Sequence, residues 1–184
     1  MNDILAMGCG GDAVTLEELL ASREQRVVRQ AVLSGQHRVP VVSLTIVMPG
    51  PVKDNRWSRR ALQAGMASFA RLCGERQWPI LAHEHRWPRT GPEALYAVDA
   101  DTVALKAGAI DLEEHAPVGR LWDFDIIDPE PSVLSRKALG LPPRRCLACS
   151  RPAHECGRSR RHSVDLLLSA IGDIMDERHA DARS

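Results

Sequence analysis

Lysine is almost missing from this 184-residue chain: of its 24 basic residues only Lys53, Lys106 and Lys137 are lysines, and the other 21 are arginines. Aromatic residues are also scarce, at 4%. Trp57, Trp78, Trp87, Trp122, Phe69, Phe124 and Tyr96 make up the whole set. None of them interleaves with the basic block of residues 136–161, so no platform for stacking single-stranded nucleic acid is evident there, and no nucleic-acid partner is expected. No apolar run approaches the 18 residues of a membrane span. The start, MNDILAMGCGGDAV, has no basic n-region, so no signal peptide or membrane association is expected and the predicted location is cytoplasmic. The chain is long enough to bury a core without disulfide staples. Its five cysteines are an odd count with three inside eleven residues, which points to a reduced compartment and a metal or thiol site.

Net charge is zero, but the charge is segregated. From Glu93 to Glu130 ten acids face only Lys106 and Arg120. From Arg136 to Arg161 eight basic residues face only Glu155. Such blocks arise as solvated faces, and also where one wall of a site holds divalent cations and the other holds polyphosphate.

One domain over 1–184 is predicted, with an α/β core over 15–128 and a basic, cysteine-bearing segment over 129–184. Thr15 to Glu18 reads as a capping box opening a helix that ends near Gly35. Leu16, Leu19, Leu20, Val27 and Ala31 form its predicted core face, with Arg23, Glu24, Arg26, Arg29 and Gln30 outward. Val39 to Met48 reads as a buried strand stopped by Pro49-Gly50-Pro51. Asp54 or Asn55 caps a second helix with Trp57, Ala61, Leu62, Phe69, Leu72 and Cys73 inward, closed by Trp78-Pro79. Extended segments follow at Pro79 to Arg86 and Ala94 to Asp99, then a helix capped by Asp101, a strand from Leu121 to Asp128, a linker from Pro129 to Pro143, and a last helix from Val164 to Arg178. The order after the first helix is βαββαβ. This predicts an α+β fold of split βαβ type, a four-stranded antiparallel sheet backed by helices and resembling a nucleotidyltransferase palm.

Three features carry chemistry. In Gly119-Arg-Leu-Trp-Asp-Phe-Asp125, alternation sends Trp122, Phe124 and Ile126 into the core and sets Asp123 and Asp125 together on the opposite face. Like charges two residues apart repel unless a cation covers them, and Mg²⁺ or Mn²⁺ is the expected one. Gly119 is read as allowing close approach to a phosphate, with Arg120 beside it to pair with one. The second feature is Cys146-Leu-Ala-Cys149 followed by Cys156 and His162, a donor set suited to tetrahedral Zn²⁺; His154 competes as a ligand, and core thiols are the bland alternative. The third is the arginine run of Arg144-Arg145 and Arg158 to Arg161, suited to a small polyphosphate.

These motifs, with Glu18-Leu-Leu-Ala-Ser-Arg-Glu-Gln-Arg26, Val42 to Asp54, Leu134-Ser-Arg136 and Leu141-Pro-Pro-Arg-Arg-Cys-Leu-Ala-Cys149, resemble the holo-acyl-carrier-protein synthase family of citrate lyase, the apo-citrate lyase phosphoribosyl-dephospho-CoA transferases. The resemblance implies transfer of 2′-(5″-triphosphoribosyl)-3′-dephospho-CoA onto a serine of the citrate lyase acyl carrier subunit, with release of pyrophosphate. It implies metal-bound Asp123 and Asp125 as the catalytic pair; among the basic residues, Arg120, Arg136, Arg144 and Arg145 are the first choices for neutralising the triphosphate, with Lys53, Arg59 and Arg60 as weaker candidates. A third carboxylate would come from Glu113 or Asp128. The alternatives are the same transfer to the malonate decarboxylase carrier protein and a zinc-containing nucleic-acid-binding adaptor.

Overall fold

The computed structural model describes residues 10–129, 136 and 139–181, with side chains described as far as residue 176. Of the Leu134-Ser-Arg136 motif and the 129–143 linker, only the described positions are discussed below. Helix α1 (Leu16–His37) begins at the expected capping box, where Thr15 Oγ1 accepts the Glu18 N–H and Glu18 Oε2 accepts the Thr15 N–H. It runs past Gly35 and ends when Arg38 takes the left-handed conformation at φ 54°. Strand β1 (Val41–Ile46) then leads through the Pro-Gly-Pro turn into α2 (Arg56–Arg76). Asn55 is the cap of α2, trading hydrogen bonds with Ser58. Hairpin strands β2 (Ile80–Arg86) and β3 (Glu93–Val98) follow, then α3 (Thr102–His115), capped by Asp101 Oδ1 on the Ala104 N–H. A 3₁₀ turn, Gly119–Leu121, feeds β4 (Trp122–Ile127). Helices α4 (Ala153–Arg158) and α5 (Val164–Asp181) end the described chain.

The fold is α+β. The strands form one antiparallel sheet in the order β2-β3-β1-β4, the split βαβ arrangement. One face carries Val42, Leu44, Tyr96, Trp122 and Phe124 into the core against Ala61, Leu62 and Phe69 of α2 and Leu105 and Ala109 of α3. Trp122 is wholly enclosed and donates its indole N–H to the Ala61 carbonyl at 2.8 Å. Helix α5 joins this core through Ile171 and Met175, with Gly172 against the Trp57 ring. Among the described residues no helix is long and apolar enough to cross a membrane.

Two expectations are corrected. Helix α1 buries no residue fully, and Leu16, Leu20 and Val27, expected in the core, are exposed. Arg26 and Arg29, expected outside, face the second side of the sheet instead. Arg26 pairs with Glu93 at 2.9 Å, and Arg29 with Glu93 and, at 2.6 Å, with Glu84. Glu93 is buried, so a helix crossing it must bring cations, and the charge of the sheet rather than the apolar stripe orients α1. Gly119 also has a different role. A Cβ there would stand 2.2 Å from the Leu112 carbonyl oxygen and 2.8 Å from that of Glu113, so its bareness lets the 3₁₀ turn lie against the end of α3 rather than admit a phosphate.

Candidate functional site

Strand β4 lies at the edge of the sheet, and its alternation is as the sequence predicts. In the register with β1, Phe124 stands opposite Leu44, Asp123 opposite Thr45 and Asp125 opposite Ser43. Directly opposed residues share a face, so both aspartates stand on the side away from α2 and α3. Both are exposed there. Asp125 nevertheless has protein crowded around the rest of its carboxyl. That loss of water, and then the charge of Asp123, push its pKa up, while Lys106 and Arg26 pull the other way. The result is two carboxylates side by side on one open strand face, Asp125 holding its proton more readily than an ordinary aspartate.

The outer edge of β4 is held by α3. Phe124 donates its N–H to Glu113 Oε1 at 2.9 Å, and its carbonyl accepts from Lys106 Nζ at 2.9 Å. Glu113 Oε2 pairs with Arg136 at 2.6 Å, and Arg136 also reaches Glu114. Both oxygens of Glu113 are therefore occupied, one by the strand and one by Arg136.

The basic segment is tied to the start of β4 by arginines. Arg144 Nη2 donates to the carbonyls of Arg120 and Trp122, both at 2.6 Å, and its Nη1 lies 3.4 Å from Asp123 Oδ1. Arg120 donates in return to the Cys146 carbonyl at 2.5 Å. Between these elements opens a cleft of about 780 Å³. Its charged lining is Asp123 with Arg120, Arg144, Arg145 and Arg160. Its apolar lining includes Met48, Pro49, Leu147, Val164 and Leu167. Size and mixture suit a ligand with an anionic end and an organic body. Arg160, from the expected arginine run, reaches the cleft from a positive-φ position (φ 46°), whereas Met48, Pro49, Val164 and Leu167 of the apolar wall come from beyond the end of β1 and from α5 and share no local pattern that the sequence could show.

Not every expected contact is in this cleft. Arg136 lines a smaller neighbouring cavity of about 360 Å³, which shares Arg120, Arg144 and Arg145 with the main one. Lys53 lines neither. Its Nζ donates to the Met48 carbonyl at 2.5 Å, and burial lowers its pKa. Arg59 and Arg60 line a third cavity, at the start of α2.

Cys146, Cys149, Cys156 and His162 converge at the back of the main cleft, with their ligand atoms all within 4.8 Å of one another. The Cys149 and Cys156 sulfurs are 3.6 Å apart, and His162 Nε2 is 3.3 Å from Cys149 Sγ. A tetrahedral thiolate site with Zn–S near 2.3 Å spaces its sulfurs by roughly 3.8 Å, so the cluster can hold a metal such as zinc. His162 is the imidazole of the set; His154 lies on the cleft wall outside it. A backbone N–H from Arg151, with help from His162, Cys156 and Cys146, draws the Cys149 thiol down to about 7 against the opposing effect of desolvation. A thiol that ionises near neutrality is ready to ligate.

A family model described as apo-citrate lyase phosphoribosyl-dephospho-CoA transferase matches residues 14–178, a stretch that contains the aspartate face, the arginine cleft and the cysteine cluster. Two proteins of that name, from Escherichia coli (strain SMS-3-5 / SECEC) and Shigella boydii serotype 18, are each 39% identical to this chain over 165 residues, which is 90% of this chain and 90% of theirs. With the match spanning nearly the whole described fold and every element of the site, this chain belongs to the apo-citrate lyase phosphoribosyl-dephospho-CoA transferase family.

Proposed function

We propose that this transferase binds triphosphoribosyl-dephospho-CoA in the 780 Å³ cleft and attaches its phosphoribosyl-dephospho-CoA part to a serine of the apo-citrate lyase acyl carrier subunit. The observation that carries the reading is the meeting of Asp123 with four arginines in one cleft that also has an apolar wall. The serine oxygen forms a bond to the α-phosphorus as the bond from that phosphorus to the pyrophosphate oxygen breaks, and the hydroxyl proton passes to solvent water. Arg120, Arg144 and Arg145 hold the triphosphate oxygens and take up the charge that grows on the departing pyrophosphate. Met48, Leu147 and Val164 receive the less polar remainder of the nucleotide and exclude water from it. Arg136, held by Glu113 and Glu114, keeps β4 and the neighbouring arginine wall in position. Asp123 and Asp125 would hold a divalent cation such as Mg²⁺ or Mn²⁺, which would supply further charge stabilisation to the reacting oxygens.

The cysteine cluster is read as a structural Zn²⁺ site. It anchors the segment that delivers Arg144 and Arg145, and this segment has few apolar residues with which to hold itself. The family match supports citrate lyase over malonate decarboxylase as the source of the carrier.

Intact-mass spectrometry of the apo carrier subunit, after incubation with this protein, the triphosphoribosyl precursor and Mg²⁺, tests the reading. A mass gain equal to the precursor less pyrophosphate is expected. An unchanged carrier, with Mn²⁺ also tried, would overturn it.

A further inference from the structure

The loop that leaves β1 joins two clefts. Met48 and Pro49 line the one described above, whereas Asp54 and Asn55 line another of about 630 Å³ at the beginning of α2. Arginine dominates this second cleft: Arg56, Arg59, Arg60 and Arg89 face it, against Asp12 and Asp54. Helix α2 has 21 residues and no acid in its first turn, yet it carries three arginines at its first, fourth and fifth positions. The positive end of a helix favours anions, so cations crowded there are out of place unless an anion joins them.

Internal pairing leaves part of this charge over. Arg59 is spent on Asp54, at 2.7 and 2.6 Å. Arg89 lies near Asp12 at 3.5 Å and Glu18 at 3.7 Å and donates to the Ala13 carbonyl. Arg56, exposed at the first helical position, has no ion pair among the described residues. The backbone N–H groups of Arg56 and Trp57 belong to the first turn, which has no intrahelical acceptors.

A second observation concerns a side-chain atom that the cap does not use. Asn55 lines the cleft and is only 4% exposed. Its Oδ1 is fixed by the cap, accepting the Ser58 N–H at 2.9 Å, and this settles which way the amide points. Its Nδ2 is buried with no hydrogen-bond partner. Buried amide donors are satisfied in nearly all proteins, so one left open at the wall of an arginine-lined cleft marks the place where an acceptor arrives.

We propose that this cleft is a second anion site, which takes a phosphate group through Arg56, the first N–H groups of α2 and the Asn55 amide. The site does not depend on the transfer reading, since none of its residues lines the main cleft. Its ligand is a phosphomonoester or a diphosphate; the shared chemistry is a multiply charged, tetrahedral oxyanion with several acceptors for convergent N–H donors.

The test is an NMR titration of the ¹⁵N-labelled full chain with inorganic phosphate, inorganic pyrophosphate and ribose 5-phosphate, each against sodium chloride at matched ionic strength. Saturable shifts of the Asn55 side-chain amide and of the Arg56 and Trp57 backbone amides are expected, stronger with phosphate, pyrophosphate or the sugar phosphate than with chloride. A tighter response to pyrophosphate assigns a diphosphate, and a tighter response to ribose 5-phosphate assigns a monoester. In Arg56→Ser, whose side chain is exposed so that folding is spared, the affinity read at Asn55 should fall at least tenfold, while shifts at Asp123 and Arg144 stay as in the parent. Arg56→Lys should recover part of the loss. No saturation at Asn55, an equal response to chloride, or an Arg56→Ser titration identical to the parent would overturn the proposal.

Discussion

Removing the Glu113 carboxylate tests how the edge strand that carries the aspartates is held. Glu113 is 5% exposed and does two jobs, accepting the Phe124 N–H with one oxygen and facing Arg136 with the other. In Glu113→Ala the Phe124 N–H loses its acceptor at a covered edge, which costs about 1–3 kcal/mol. Arg136 loses its buried partner as well. Breaking a fully buried pair costs about 3–5 kcal/mol, but Arg136 keeps Glu114, which is 43% exposed, so a share of about 1–2 kcal/mol is the better figure. The sum is about 2–5 kcal/mol. Glu113→Gln still accepts from Phe124 and loses only the charge, so about 1–2 kcal/mol is expected. Urea denaturation followed by circular dichroism measures both variants. The pair with Arg136→Ala completes a cycle: losing Arg136 after Glu113 should be at least about 1 kcal/mol milder than losing it from the intact chain. Strict additivity, or a Glu113→Ala midpoint equal to the parent's, would refute the anchoring. The same cycle separates a strand-holding Arg136 from one that touches substrate, since a substrate contact predicts a large loss of turnover with little coupling to Glu113.

Three further outcomes are expected. Asp123→Asn and Asp125→Asn should each lower carrier loading by about 100-fold, or ~3 kcal/mol of transition-state stabilisation, with stability unchanged or slightly raised, whereas Trp122→Ala on the other face should lose about 3–5 kcal/mol of stability; full turnover by the Asn variants at saturating precursor and Mg²⁺ would remove the aspartates from the mechanism. Protein purified without chelator should carry one zinc per chain by elemental analysis, and Cys149→Ser or prolonged chelation should release it and loosen the arginine wall, seen as faster proteolysis near residues 144–162; metal-free protein with an unchanged digest would reject the zinc reading. Gly119→Ala should destabilise by roughly 1–3 kcal/mol or more, because its new methyl meets helix backbone that cannot rotate away, and a melting temperature equal to the parent's would show that the turn relaxes freely.

The elements most legible in the sequence were those whose signal is local. A capping residue, a β-branched run and a strict alternation each depend on a few neighbouring side chains, and the starts of α1 and α3, the strand β1 and the faces of β4 lie as those signals predict. Helix α1 shows where such reasoning stops. Its apolar residues repeat at helical spacing, yet the surface it meets displays Glu84 and Glu93 from strands some 55 to 67 residues further on, so arginines win the buried side. Buried Glu93 was the missing signal, and its burial is a property of the sheet rather than of its neighbours. The site divides in the same way. The aspartates, the Cys146–Cys149 spacing and the arginine run are local, while Met48 and Val164 reach the cleft from distant elements.

The alternation of β4 also ties stability to chemistry. Asp123 and Asp125 share a strand with Trp122 and Phe124, and a one-residue slip against β1 would move every side chain to the other face. The slip would bury two carboxylates and expose two of the largest core side chains, an arrangement penalised twice over. The Phe124 N–H would at the same time leave Glu113, and its carbonyl would leave Lys106. The register that fills the core is therefore the register that places both aspartates outward. The 3₁₀ turn before the strand, closed against α3 at Gly119, sets where that register begins. A substitution that leaves the aspartates untouched but loosens this turn should consequently impair catalysis through their position, and its activity should recover under stabilising conditions, such as added osmolyte, that leave Asp123→Asn inactive.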